Sequence, residues 1–105
     1  MIAELVSFAA PEGCTREDIV QGAMGTLDRW QANPELLRKH YLASPDNRQL
    51  MGVYIWPSIE AAKRGHDAEW IAQTETRTGG KVNIAYFDLF MLLDNQAGTV
   101  TRFPE

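Results

Sequence analysis

Residues 49–70 read Gln49-Leu50-Met51-Gly52-Val53-Tyr54-Ile55-Trp56-Pro57-Ser58-Ile59-Glu60-Ala61-Ala62-Lys63-Arg64-Gly65-His66-Asp67-Ala68-Glu69-Trp70. Successive side chains of a strand point to opposite faces, so Leu50, Tyr54 and Trp56 share one side while Met51, Val53 and Ile55 share the other. Both faces are therefore apolar. Pro57 closes the strand, and Ser58 supplies the hydroxyl that caps a helix start. The spacing predicts a helix through Glu60, Ala62, His66 and Trp70 toward Thr78, where Gly79-Gly80 stop it.

Upstream, Leu36 to Ala43 is a second apolar, aromatic-bearing run. It is joined to the first by Ser44-Pro45-Asp46-Asn47, whose Pro and Asn suit a reversing loop, and the pair forms a β-hairpin. Ile2 to Phe8 reads as an opening strand broken by Pro11 and Gly13. Thr15 then stands as an N-cap, Glu17 and Asp18 sit where the helix dipole favours negative charge, and Ile19, Ala23, Leu27 and Trp30 recur at helical spacing up to Asn33-Pro34. Gly22 and Gly25 lie inside that helix at about 1 kcal/mol each relative to Ala, which points to close packing, a kink or room for a ligand. Downstream, Val82 to Leu93 shows little strict alternation and reads as a strand covered on both faces, with Asp94 to Glu105 as a tail. The order β-α-β-β-α-β is the split βαβ, ferredoxin-like arrangement: an α+β fold with a four-stranded antiparallel sheet and two helices on one face.

Helices on one face leave the other apolar face to be covered. An exposed sheet of this size exceeds the patch that monomers tolerate, so a homodimer joined through the sheets is expected, a dimeric α+β barrel, with the tail of residues 94–105 crossing to the partner. The 105 residues, 45% of them hydrophobic, suffice for one domain and one core. A net charge of −4 without a basic run argues against nucleic acid. The single cysteine, Cys14, cannot form an internal disulfide, and with no apolar leader or membrane span in the sequence a cytoplasmic protein is expected.

The sequence holds no metal-ligand spacing, phosphate loop or Ser-His-Asp arrangement, so neither metal nor flavin is expected. What remains is a group of polar and aromatic residues on elements that pack together. His66 and Trp70 fall on one helix face aimed at the sheet. His66 is either a hydrogen-bonded core histidine or a general base, with Trp70 as stacking wall or N–H donor. Arg38 and His40 share one side of their strand, where they either hold an anionic or phenolate ligand or form ion pairs near a dimer seam; Lys39 points the other way. Tyr54 and Trp56 line an aromatic pocket or simply pack. Tyr86 and Asp88 share a side of the last strand, from which Asp88 either orients a histidine or satisfies loop amides.

The stretch from Gly52 to Trp70, a strand ending in Trp56 followed by Ser58, Glu60-Ala61 and a helix bearing His66, resembles the middle of antibiotic-biosynthesis-monooxygenase-like proteins of the dimeric α+β barrel superfamily. Asn33-Pro34-Glu35-Leu36 is similar to the family's Pro-Gly-aliphatic lead-in to the second strand, with Glu35 in place of Gly. The resemblance implies oxidation of a small phenolic or quinol-like aromatic by O₂ without metal or flavin. It casts His66 as base, Arg38 or Trp70 as oxyanion partner, Tyr54, Trp56 and Tyr86 as pocket residues, and His40 as a reserve. A non-catalytic binding or interaction module, and an isomerase or dehydratase, remain the alternatives on the same fold.

Overall fold

A computed structural model describes residues 1–104. Its order is β1 (Ile2–Ala9), α1 (Arg16–Met24), α2 (Leu27–Gln31), β2 (Arg38–Ala43), β3 (Gln49–Trp56), α3 (Ile59–Gly65), α4 (Ala68–Thr78), β4 (Asn83–Asp88), β5 (Met91–Asp94) and β6 (Thr99–Arg102). The first four strands form one antiparallel sheet in the order β2-β3-β1-β4, the ferredoxin-like topology. Register puts Glu4 of β1 between Tyr54 of β3 and Tyr86 of β4, and Lys39 of β2 opposite Tyr54. The side of the sheet bearing Ile2, Glu4, Val6, Gly52, Tyr54 and Trp56 is buried under the helices, whereas Ala3, Leu5, Met51, Val53 and Ile55 on the other side are half-exposed.

Each helix expected from the sequence is two helices, and the breaks have local causes. The first ends at Gly25, after a start fixed by a capping box in which the Thr15 hydroxyl accepts from the Asp18 amide and the Asp18 carboxylate accepts from the Thr15 amide. Thr26 then turns its hydroxyl to the Ala23 carbonyl at 2.7 Å and to the Tyr41 hydroxyl at 2.8 Å, and α2 begins at Leu27. The second breaks at His66, whose backbone leaves helical geometry at φ −120° and ψ 69°. Asp67 caps the restart by accepting from the Trp70 amide at 2.8 Å. Gly79, in the left-handed region at φ 77°, ends α4 as expected.

The long last strand is likewise interrupted. β4 stops at Asp88, Leu89 donates its amide to the Met1 carbonyl, and the chain continues as β5. The segment expected as a tail contains β6, which pairs with β5 in a two-stranded hairpin; Glu105 lies outside the described residues. Among the described residues no helix is long and apolar enough to cross a membrane.

Candidate functional site

The chemistry-bearing side chains lie between the helices and the buried side of the sheet. Glu4 and His66 are 0% and 3% exposed. Oε1 of Glu4 lies 2.8 Å from Trp56 Nε1, which donates, and 2.8 Å from His66 Nδ1. With Oε1 acting as acceptor to both, Nδ1 carries a proton and donates to Glu4. Among the described residues, His66 Nε2 and Glu4 Oε2 are buried without a hydrogen-bond partner, a condition that calls for explanation in a native core. The imidazole sits in an aromatic box: Tyr54 at 4.4 Å, Trp70 at 4.5 Å, Trp30 at 5.0 Å and Trp56 at 6.3 Å between ring centres.

The helix break makes this box possible. A continuous helix would carry residue 66 on around its own axis; leaving helical geometry at His66 turns the ring inward, and the Gly65 carbonyl freed there accepts from Arg29 Nη2 at 3.3 Å. Gly65 itself lies against Trp56, where a Cβ would come 2.5 Å from the indole. Glu35, the residue standing in place of the expected glycine, receives Arg64 Nε at 3.0 Å and so ties the lead-in of β2 to α3. The Arg64 guanidinium holds the Glu35 carboxyl below its ordinary pKa.

Beside this filled box is a cavity of about 610 Å³, bounded by α1, α2, the end of α4 and the sheet. Ile19, Phe8 and Leu50 make it apolar, and Trp30, Tyr54 and Trp70 form a wall shared with the aromatic box. His66 does not line it. Tyr54 is held well above its ordinary pKa, by burial first and then by Tyr41 and the Glu4 carboxylate, so its hydroxyl keeps its proton at the cavity wall. Gly52 is required beneath it, since a Cβ there would lie 2.6 Å from the Tyr54 ring. Lys39 enters the same space, its Nζ 3.8 Å from the Tyr41 ring centre, 4.6 Å from Tyr54 and 5.0 Å from Trp30.

The structure thus brings together His66, Trp70, Tyr54 and Trp56, with Tyr86 packed against the same core. Burial and then the Glu4 carboxylate raise the Tyr86 hydroxyl above its ordinary pKa. Arg38 and His40 are not part of this group. They pair across from Ile55 and Val53 on the other side of the sheet, exposed, while Lys39 between them faces the cavity. His66 and Trp70 meet across the break rather than along one helix face. Glu4, not Asp88, orients the histidine. Glu4 is the residue that sequence reasoning missed, although its signal was present: a carboxylate in the same parity as Ile2, Val6 and Phe8 on an apolar strand.

No family model matches the chain, and no curated protein matches it. Among solved structures, it is similar to the ActVA-Orf6 monooxygenase of Streptomyces coelicolor in complex with nanaomycin D, at 20% identity over 88% of this chain and 89% of that one, with a TM-score of 0.64. It is similar also to SnoaB, a cofactor-independent oxygenase from Streptomyces nogalater, at 12% identity over 88% and 95% of the two chains, TM-score 0.63. An antibiotic biosynthesis monooxygenase aligns at 8% identity over 85% and 98%, TM-score 0.64. The expectation drawn from residues 52–70 holds at the level of architecture: this chain has the ferredoxin-like α+β fold of the antibiotic-biosynthesis-monooxygenase-like proteins.

Proposed function

We propose that this protein is a cofactor-independent monooxygenase of a small phenolic or quinol-like aromatic, bound in the cavity beneath α1. The observation that carries the reading is the shared wall: Trp30, Tyr54 and Trp70 line the cavity and also enclose a buried Glu4–His66 pair whose Nε2 has no partner among the described residues. A ligand of two or three fused rings fits the space and stacks on Trp30 or Trp70. Movement of the Trp70 ring, half-buried in the first turn of α4, brings Nε2 to the ligand. There it takes the phenolic proton, and Glu4 steadies the resulting imidazolium through Nδ1. The electron-rich anion then reduces O₂: one oxygen atom forms a new C=O bond, the other leaves as water, and the ring supplies the electrons as a phenol becomes a quinone.

The open side of the sheet supports a homodimer. Met51, Val53 and Ile55 face outward there, Phe87 is exposed on the edge strand β4, and Phe90 just before β5 is exposed with Leu93 and Val100 of the β5–β6 hairpin, suiting that segment to lie across a second copy. Arg38 and His40 then belong to the seam. Sedimentation at micromolar concentration is expected to give a dimer; a clean monomer contradicts this part of the reading.

The test of activity uses 1-naphthol with and without oxygen. Aerobic formation of naphthoquinone, absent under nitrogen and reduced roughly 10²- to 10⁴-fold by His66→Ala in a folded protein, is expected. Arg38→Met should leave turnover unchanged. A second reading, a binding module without catalysis, is favoured by the sealing of His66 from the cavity, and predicts ligand binding with no turnover in either atmosphere.

A further inference from the structure

Lys39 is the cation that β2 sends into the cavity. Its neighbours in sequence, Arg38 and His40, face the opposite side of the sheet, while its own ammonium enters the cavity among the rings of Trp30, Tyr41 and Tyr54. Among the described residues the ion pairs are Arg64 with Glu35 and His66 with Glu4, so no carboxylate answers Lys39. The groups around it offer none. Arg29 of α2 is a second cation, stacked on Trp30 at 4.9 Å, and Arg77 of α4 lines the far wall. Arg16 of α1 is engaged by the Asn47 side chain and the Ser44 carbonyl. Asp18, the one carboxylate of the cavity lining, is committed to the Thr15 capping box. Tyr41 and Tyr54 meet it through their rings, and Glu4 with His66 lies behind Tyr54.

We propose that Lys39 anchors an acidic oxygen, a carboxylate or an ionised phenol or enol, carried by an aromatic ligand of this cavity. The proposal rests on the cavity's being the ligand site and adds to it the ligand's charge. A half-buried cation facing ring faces without a counter-ion is incompletely satisfied, because ring quadrupoles replace only part of its hydration. An anion held between Lys39 and Arg29 completes it, and the aromatic wall takes the rest of the molecule. Burial and the nearby Arg29 lower Lys39 to a pKa of about 7, so the anchor is charged below neutrality and fades above it.

Two dyes that share one ring system test the idea: 8-anilino-1-naphthalenesulfonate, a permanent anion, and the neutral N-phenyl-1-naphthylamine. At pH 6, Lys39→Met is expected to weaken the anionic dye roughly 10- to 100-fold and the neutral dye by less than about threefold. In the unaltered protein, affinity for the anionic dye should fall about tenfold per pH unit above neutrality, and Lys39→Arg should hold the pH 6 affinity to pH 9. Loss of both dyes alike in Lys39→Met overturns the anchor, as does an anionic-dye affinity that the substitution leaves alone; in either case binding of the neutral dye to the unaltered protein keeps the cavity as a ligand site. A pH profile that persists in Lys39→Arg would belong to another group and overturns it too. Failure of the unaltered protein to bind either dye removes the cavity reading along with the anchor.

Discussion

One sheet face carries two unlike halves. Under α3, Trp56, Glu4, Ala61 and Ala62 are wholly buried, and Gly65 is the only residue small enough for its place against the indole. Under α1 no helix residue is buried at all, and Gly22 faces open space, where a Cβ would find nothing within 4 Å. The difference separates two uses of a helix: α3 closes a core, while α1 roofs a chamber. Stability should therefore reside in the first half and ligand recognition in the second.

Substitutions can break that contrast. The largest effect is expected at Glu4, since Glu4→Ala leaves the Trp56 N–H and the His66 Nδ1 without their acceptor in a dry interior; a loss of roughly 3–5 kcal/mol in urea unfolding is expected. Glu4→Gln keeps an acceptor and should cost less. Gly65→Ala drives a methyl into Trp56 and is expected to cost about 1–3 kcal/mol. The matching change in the hollow half has the opposite sign: Gly22→Ala adds helix propensity without a clash and should stabilise by about 0.5–1 kcal/mol. If both glycine variants destabilise alike, the halves do not differ in packing.

A smaller effect, in pH, sharpens the comparison. Lys39 has a folded pKa near 7 against an unfolded value of about 10.4, so between those values the unfolded chain binds the extra proton. Stability then rises with pH across that window. The deficit relative to Lys39→Met should be complete below pH 7 and shrink as pH climbs toward the ordinary lysine range, with cation–π contacts offsetting part of it. Thermal melts of both proteins from pH 6 to 10 check this; parallel curves would place the ammonium in water.

The sequence disclosed the frame and half of the site. Alternation in Gln49–Trp56 and the caps at Thr15 and Ser58 mark elements by local rules, which is why strand order and helix starts were legible. The helix breaks were less so, because apolar periodicity runs through Gly25 and His66 alike; the helix-one glycines offered a kink as one of three readings, and nothing read from the sequence marked the second break. The site's halves differ in the same way. His66, Trp70, Tyr54 and Trp56 are chemically conspicuous, but which side Arg38, Lys39 and His40 take depends on a single step of register between β2 and β3. Glu4 meets His66 only through tertiary contact between the first strand and a helix end far along the chain.

The three tryptophans supply the most direct measurement, since two lie on the cavity wall and Trp56 is sealed in the filled half. In an ¹⁵N-labelled protein titrated with 1-naphthol, the indole N–H signals of Trp30 and Trp70 are expected to shift together and saturate, with Trp56, bonded to Glu4, unmoved. Silent Trp30 and Trp70 signals, or shifts confined to the amides of Val53 and Ile55 on the open side of the sheet, would contradict a ligand chamber beneath α1.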